Sequence, residues 1–341
     1  MLSLSASLIH LYIKYIRASK AVFGSAQRTR EQLHDLYLHP QSFSPPAAPG
    51  PDISIQREDV TDWPLYRVSS SLPSPQQQSS LPTPSRNAES RGSDLPRSAA
   101  MLYLHGGAFY REIDPGHWTF ISQAARETGL DVLVPIYPLL PRPGATASNV
   151  VSRLEELVRL LSRKQRIVSI AGDSAGGCIA LALAQRLVAS APDVSGQLSS
   201  VVLISPVLDL ALDNPEAERL DPVDPWLGLA GLRAIAPLWA GELPVRDPRV
   251  SPLYGAIEGL PPVMLLSGTM DLLNPDARRL SGRFQGMKDG GGEKGVKGSV
   301  ELERFVYVEG EGMVHVYPLL PHWEGGVARE RIMGFVRGCL V

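Results

Sequence analysis

The sequence predicts an α/β fold in which a mainly parallel central sheet is flanked by helices. Short runs of apolar residues alternate with longer helical segments over most of the chain, which favours right-handed strand–helix–strand crossovers. These runs are apolar almost throughout, as is typical of strands that are buried on both faces. The predicted strands of this set are residues 101–104, 132–137, 167–171, 201–205 and 263–267, and the predicted helices are residues 119–128, 148–163, 175–190 and 275–287.

A hairpin and a long polar segment lie before this alternating region. Residues 53–60 and 63–69 have the pattern of two strands that turn at Thr61 and Asp62. The composition then changes, and residues 70–98 are mainly Ser, Pro and Gln, with almost nothing apolar to bury. We expect this segment to be a disordered loop inside the domain, because the strands on either side need each other as partners.

Other segments also depart from the alternation of strands and helices. The N-terminal residues 1–45 and the tryptophan-bearing residues 209–249 are both candidates for a helical cap over the sheet. Residues 289–299 are rich in Gly and Lys and predict a flexible loop before a strand at residues 301–308. With these insertions, we expect residues 53–341 to form the main domain.

The N-terminal segment begins with an apolar run that has helical spacing. Leu4, Leu8, Leu11 and Tyr15 recur along one predicted helix face. The run is too short for a membrane-spanning helix, and no basic residues precede it as they do in a signal peptide. We therefore expect an amphipathic helix whose apolar stripe docks on the protein itself. Weak attachment to a membrane surface and secretion are the alternatives.

Composition and charge exclude several classes of protein. The 33 Lys and Arg residues nearly balance 35 Asp and Glu residues, and no basic block could neutralise a run of phosphates, so nucleic acid is not an expected partner. Two cysteines exclude a disulfide framework and favour a reducing compartment, so we expect a cytoplasmic protein, with a membrane-associated or secreted one as the alternative. The seven histidines do not cluster at metal-ligand spacing, and we expect no metal and no cofactor.

A nucleophile motif lies between one predicted strand and the helix after it. Gly172-Asp173-Ser174-Ala175-Gly176 has the form GxSxG, and its strand–turn–helix context is that of a nucleophile elbow. Small residues on both sides of the serine allow a sharp turn that lifts its hydroxyl above the sheet. Ser174 is therefore the candidate nucleophile, and a helix-capping serine is the alternative.

A serine nucleophile needs a base, and the base needs a carboxylate that orients it. His315 lies in a glycine-rich loop after the last predicted strand, and an imidazole has a suitable pKa near neutral pH. Asp271 follows a buried strand and supplies the carboxylate. The candidate triad is Ser174, Asp271 and His315. The alternatives are a helix cap for Asp271 and an incidental loop histidine for His315.

Backbone N–H groups for a developing oxyanion are expected after the strand at residues 101–104. Gly106, Gly107 and Ala108 follow this strand, and the two glycines allow a tight turn with a closely approached backbone. The N–H group of Ala175, directly after the nucleophile, is expected to complete the oxyanion hole. A purely structural turn is the alternative.

In combination, these motifs resemble the hormone-sensitive-lipase-like branch of the α/β-hydrolase fold. The likeness runs from about residue 99 to the C-terminus. Residues 105–108 are similar to the HGGG motif of that branch, and residues 172–177 match its GDSAGG motif. The chain order of nucleophile, acid and base is the one expected of α/β-hydrolases.

The resemblance implies oxyanion donors at Gly107, Ala108 and Ala175, and a cap formed by the N-terminal helices and part of the tryptophan-bearing insert. The sequence departs from the motifs of that branch at two places that affect the site. Ala108 replaces the third glycine of HGGG, which keeps the N–H group but adds a methyl group that is expected to tighten the acyl pocket. Pro138 and Arg142 stand where the usual YRLAPE motif has Arg and Glu, so the polar support expected from that Arg and Glu is missing.

The motifs and the resemblance together predict a cofactor-independent serine carboxylic-ester hydrolase that acts on small-molecule esters through an acyl-enzyme. The resemblance implies short or medium acyl groups, with acetyl as one candidate. An amidase, a formamidase or an acyltransferase would use the same triad, and a non-catalytic small-molecule receptor is an alternative of another class. The candidate substrate contacts are aromatic residues beside the motifs and in the insert: Phe109, Tyr110, Trp226 and Trp239.

Overall fold

The computed structural model describes residues 2–17, 19–72, 98–290 and 304–340. Within these ranges, eight strands form one sheet: β1 (Ile53–Val60), β2 (Trp63–Ser70), β3 (Ala99–Leu104), β4 (Asp131–Pro135), β5 (Arg166–Asp173), β6 (Ser200–Ile204), β7 (Val263–Gly268) and β8 (Phe305–Gly310). Their order across the sheet is β1-β2-β4-β3-β5-β6-β7-β8. The pairs β1–β2 and β2–β4 are antiparallel, and all the other pairs are parallel. The α/β fold class predicted from the sequence is confirmed.

The described helices are α1 (Leu4–Tyr12), α2 (Ser19–Phe23), α3 (Ala26–Leu38), α4 (Pro115–Thr128), α5 (Ala147–Leu161), α6 (Ser174–Ser190), α7 (Pro192–Ser195), α8 (Pro215–Leu220), α9 (Leu229–Ala240), α10 (Asn274–Gly290) and α11 (Trp323–Gly338). A π-helical turn, Ile13–Arg17, follows α1, and two 3₁₀ turns occupy Pro252–Tyr254 and Tyr317–Leu319. Helix α6 packs on β3, β5 and β6, while α4 packs on β2 and β4.

Strands β3 and β5 to β7 are the most deeply buried part of the sheet, which is why their sequences are apolar almost throughout. Since β5 to β8 run parallel, their carboxyl ends meet at one edge of the sheet. The loops after β5, β7 and β8 carry Ser174, Asp271 and His315 respectively. The topology therefore brings three residues that are distant in the sequence to one place.

The ends of several predicted elements differ from the structure. The predicted strand at residues 301–308 begins at Phe305, and the predicted flexible loop at residues 289–299 starts inside α10, which continues to Gly290. The rest of that loop lies outside the described residues. Within the predicted disordered loop at residues 70–98, Ser70 is the last residue of β2, and residues 73–97 also lie outside the described residues.

The prediction that the N-terminal apolar stripe docks on the protein is wrong. Leu4 is 79% exposed and Leu8 is 59% exposed, and Leu11 and Tyr15 are exposed as well. Instead, α1 buries the small side chain of Ala6. None of the helices in the described part of the chain is long and apolar enough to cross a bilayer.

Polar contacts at the start of α1 explain this orientation. The backbone N–H and the hydroxyl of Ser3 donate to the two carboxylate oxygens of Glu324, at 2.7 and 2.8 Å. Glu324 lies in the first turn of α11, so these bonds hold the small-residue face of α1 against that helix. A face of small residues permits close approach, and the bulky leucines then point to solvent.

The helices after α1 pack on the tryptophan-bearing insert. Helices α2 and α3 both contact α9. Close approach is possible because Gly228 and Gly231 lie against the backbone of Phe23, where a Cβ atom would collide. The Lys20 ammonium group also donates to the Asp221 carboxylate at 2.9 Å. These contacts join the N-terminal helices and the insert above the sheet edge that carries Ser174.

Candidate active site

Ser174 lies at a sharp turn between β5 and α6. Its backbone φ is +52°, a left-handed conformation that is strained for a residue with a side chain. The turn packs so closely on the end of β3 that a Cβ atom at Gly176 would collide with the carbonyl oxygen of Leu104. This geometry explains the glycine at position 176, and it is that of a nucleophile elbow.

His315 lies between Ser174 and Asp271. Its Nε2 atom is 2.9 Å from the Ser174 Oγ atom, and its Nδ1 atom is 2.8 Å from Asp271 Oδ2. The His315 side chain is nearly buried and Asp271 is fully buried. The structure therefore brings the three predicted triad residues together, with His315 within hydrogen-bond distance of both Ser174 and Asp271.

The loops that carry Asp271 and His315 are tied to each other. The N–H of Met270 donates to the carbonyl of Met313 at 2.9 Å, and the N–H of Gly312 donates to the Thr269 hydroxyl at 2.7 Å. On the other side, the N–H of Val316 donates to the Ser205 hydroxyl at 3.0 Å. These bonds fix the loop that carries His315 to the loops that follow β7 and β6.

The protonation of His315 is set by opposing effects. Burial lowers the pKa of His315, but the charge of Asp271 and the hydrogen bond to it raise the pKa more strongly. The net result is a pKa above the ordinary histidine value of about 6.5. Asp271 thus favours the imidazolium form that the ring would take after it accepts a proton from Ser174.

Three backbone N–H groups near Ser174 are the candidates for an oxyanion site. The N–H groups of Gly107, Ala108 and Ala175 have no hydrogen-bond partner among the described residues. Gly107 has a φ of +117° and Ala108 one of +52°, so this turn is held in a conformation that favours glycine. Free donors at a strained turn are the arrangement that a developing oxyanion requires.

Gly106, which we also predicted as part of the oxyanion hole, does not supply a free donor. Its N–H donates to Asp173 Oδ1 at 2.9 Å, and the Tyr103 hydroxyl donates to the same carboxylate oxygen at 2.7 Å. The sequence prediction was wrong here because a glycine in the motif can serve backbone packing as well as donation. Gly106 anchors the oxyanion turn to Asp173.

The buried His117 joins the buried Asp173 to the half-exposed Asp114 in a charged cluster that we did not predict. Its Nε2 atom is 3.3 Å from Asp173 Oδ2, and its Nδ1 atom is 2.9 Å from Asp114 Oδ1. Burial opposes a charge on His117, but the carboxylates of Asp173 and Asp114 raise its pKa to about 10. Burial raises the pKa of Asp173, but the charge of His117 and the hydrogen bonds from His117 and Tyr103 together lower it below the ordinary value. The position of Asp173 inside the nucleophile motif was a signal for this cluster, whereas nothing near His117 in the sequence was.

A second buried carboxylate, Asp224, connects the insert to the triad. Its carboxylate accepts hydrogen bonds from the N–H groups of Trp226 and Leu227 and, at 2.9 Å, from the N–H of Leu272. Burial and the nearby charge of Asp271 raise the pKa of Asp224 to about 6. Asp224 therefore fixes Trp226 beside the residue that follows Asp271.

Two cavities meet at Ser174, and both also contact Ala108 and Leu227. The larger has a volume of 430 Å³ and is lined in part by His315, Trp226, Arg17 and Arg111. The smaller has a volume of 20 Å³ and an apolar lining: Ala108, Phe109, Val207, Leu210, Leu212, Leu227, Leu232, Ile235 and Leu273. The site thus has one narrow apolar branch and one wide branch that also carries charged side chains.

The four predicted aromatic contacts divide between the cavities and the core. Trp226 lines the larger cavity and Phe109 the smaller one. Trp239 and Tyr110 do not line either cavity, so these two predictions were wrong. Trp239 is 1% exposed and stacks behind Phe109 at 4.2 Å between ring centroids, while the Tyr110 hydroxyl donates to Gln32 at 2.8 Å. Neither the position of Tyr110 beside a motif nor that of Trp239 in the insert showed which way the ring points.

Comparisons with known proteins are consistent with this fold. A sequence profile of the alpha/beta hydrolase fold family matches residues 101–317. A triacylglycerol lipase of Mycobacterium tuberculosis is 39% identical over 184 residues, which cover 53% of this chain and 37% of the lipase. An esterase of Acinetobacter venetianus is 31% identical over 202 residues, which cover 58% of this chain and 66% of the esterase. The chain thus spans about half the length of the curated relatives it matches.

A solved structure shows the same fold over the whole chain. An esterase from the bacterial hormone-sensitive lipase family has a TM-score of 0.68, with 22% identity and complete coverage of both chains. At this identity, the likeness concerns the fold. The sequence profile, the sheet topology and the geometry around Ser174 all indicate the same fold family. The chain belongs to the α/β-hydrolase fold family, as the resemblance seen in its sequence predicted.

Proposed function

We propose that this chain is a serine carboxylic-ester hydrolase that acts through an acyl-enzyme. The observation that carries the proposal is the hydrogen-bonded series Ser174, His315 and Asp271, beside three backbone N–H groups that have no partner in the described part of the chain. The names of the relatives, a lipase and an esterase, support ester hydrolysis over the amidase, acyltransferase and receptor alternatives.

In the proposed mechanism, Ser174 Oγ attacks the ester carbonyl carbon while its proton moves to His315 Nε2. The carbonyl oxygen gains negative charge and accepts hydrogen bonds from the N–H groups of Gly107, Ala108 and Ala175. His315 then gives the proton to the leaving alcohol oxygen as the acyl-enzyme forms. A water molecule repeats these steps in reverse, which releases the acid and restores the Ser174 hydroxyl.

The position of His315 assigns the two cavities to the two parts of an ester. His315 must reach the leaving alcohol oxygen in order to protonate it, and it lines the larger cavity. We therefore place the alcohol part in the larger cavity and the acyl chain in the smaller one. A volume of 20 Å³ holds a group of about the size of one water molecule or methyl group. This supports acetyl and other short acyl groups.

A series of p-nitrophenyl esters from acetyl to decanoyl tests this proposal. We expect kcat/KM to be highest for the shortest acyl groups and to fall by at least about tenfold for the longest, because a long chain cannot enter the smaller cavity. Leu232→Ala removes an apolar side chain from this cavity, and we expect it to move the optimum toward longer chains. Leu238→Ala, on the exposed face of the same helix, is the control. An acyl preference that is the same in the wild type and in Leu232→Ala would contradict the cavity assignment.

We also propose that the exposed face of α1 rests on a lipid surface. Leu4, Leu8, Leu11 and Ile16 are exposed on neighbouring turns, which is costly in water. Residues 2–16 contain no Asp or Glu, and the Lys14 among them complements anionic headgroups. Tyr12, in the last turn of α1, lines the larger cavity, so the apolar face is continuous with the entrance to the site.

Flotation with vesicles of phosphatidylcholine and phosphatidylglycerol tests the lipid proposal. We expect the wild type to float with the vesicles, and the triple variant Leu4→Gln, Leu8→Gln, Leu11→Gln to lose at least about 90% of this binding, because it removes most of the apolar contact. Leu38→Gln changes one exposed leucine on α3 and is the control. Wild-type protein that stays with the buffer, or a dimer that forms through this face in sedimentation, would overturn the proposal.

A further inference from the structure

We infer that Arg17 binds an anionic group on the alcohol part of the substrate. This inference rests on the proposed ester hydrolysis and on the placement of the alcohol part in the larger cavity. It assigns a specificity role to an arginine that belongs to none of the sequence motifs.

The indole ring of Trp226 lies between Arg17 and the catalytic His315. Its guanidinium carbon is 4.3 Å from the centroid of the Trp226 indole, which it covers. The indole in turn meets the His315 ring edge to face, with 5.8 Å between centroids. Because Asp224 fixes the backbone at Trp226, this stack has a defined position. A charge held over Trp226 can thus contact the far end of a leaving alcohol whose oxygen lies at His315.

The Arg17 charge has no ion-pair partner in the part of the chain that the structure describes. The Arg111 guanidinium, on the wall of the same cavity, also lacks a carboxylate partner there, and it donates to Gln32 and Tyr110 instead. Two cations thus face one cavity.

The carboxylates on the wall of this cavity are already paired with other groups. Glu112 binds Arg142 at 3.2 Å. Asp114 and Asp173 both bind His117. None of them is within ion-pair distance of Arg17, so its guanidinium is left available to an anionic substrate group. A guanidinium also offers a planar fork of donors that suits a carboxylate.

The test compares two acetyl esters of similar shape, 4-acetoxybenzoate and 4-acetoxybenzamide, of which only the first is anionic. The measured quantity is the ratio of kcat/KM for the anionic ester to kcat/KM for the neutral ester. We expect Arg17→Gln to lower this ratio by about tenfold, because a charge-assisted hydrogen bond is lost. Arg17→Lys keeps the charge and should retain most of the ratio. Arg30→Gln removes an exposed arginine that does not line the cavity, and it should leave the ratio unchanged.

The wild type provides a second measurement that does not depend on the folding of any variant. Its ratio should fall as NaCl rises from about 20 mM to about 500 mM, because salt screens the attraction to Arg17. A ratio that is insensitive both to salt and to Arg17→Gln would overturn the inference while leaving ester hydrolysis intact. If the wild type hydrolysed neither ester nor p-nitrophenyl acetate, the proposed function itself would fail.

Discussion

Ser174→Ala is expected to lower kcat for ester hydrolysis by a factor of about 10⁵ to 10⁶ and to leave the fold intact. The change removes the attacking oxygen. Among the described residues, no other group is hydrogen-bonded to His315 Nε2, so none can take its place. Alanine is no more strained than serine at a φ of +52°, so the elbow should keep its shape. The measurements are kcat with p-nitrophenyl acetate and the melting temperature of both proteins.

A labelling experiment provides the control for this prediction. An organophosphate should modify wild-type protein at Ser174, and mass spectrometry of the digested protein locates the adduct. Ser42→Ala, which changes an exposed serine before the sheet, should be labelled and turn over as the wild type does. Labelling of a different serine, or full turnover by Ser174→Ala, would show that the nucleophile is misassigned.

Asp271→Asn is expected to lower kcat by about 10⁴-fold and to shift the pH dependence of kcat/KM. The base must be neutral to accept the Ser174 proton, and the Asp271 charge raises the pKa of His315. Wild-type activity should therefore rise with pH through an ionisation above about 6.5. Without the carboxylate charge, burial lowers the pKa of His315, so the residual activity of the variant should rise at a lower pH.

The direction of this shift separates the proposed role of Asp271 from a general structural effect. Asp276→Asn removes a carboxylate from the first turn of α10, where it binds Asn214 and Arg279 and does not contact His315. Its pH midpoint should equal that of the wild type. A wild-type profile that is flat from about pH 5 to about pH 9, or an Asp271→Asn profile displaced to higher pH, would rule out His315 as the base oriented by Asp271.

The main features of the site could be predicted from short stretches of sequence because each depends on local geometry. A buried strand, a sharp turn and a helix are enough to identify the elbow at Ser174. Parallel strands deliver their carboxyl ends to one edge, so the loops that carry Asp271 and His315 could be expected beside it. The α/β fold class follows from the same alternation of strands and helices.

The details that depend on the direction of a side chain could not be predicted in this way. Helical spacing defined the apolar stripe of α1, but the bonds between Ser3 and Glu324, 321 positions apart, turn that stripe outward. Likewise, Gly106 gives its N–H to Asp173 and so is removed from the oxyanion hole.

Charge pairing across the fold is the other feature that only the three-dimensional arrangement establishes. His117 is 56 residues from Asp173 in the sequence, and their ion pair forms only when α4 packs beside the end of β5. The cation of Arg17 reaches the active-site cavity because the N-terminal helices pack on the insert. Local sequence determines which helices and strands form and which turn can carry a nucleophile. Long-range packing decides which donors remain free and which charges are paired, because both depend on neighbours that are distant in the chain.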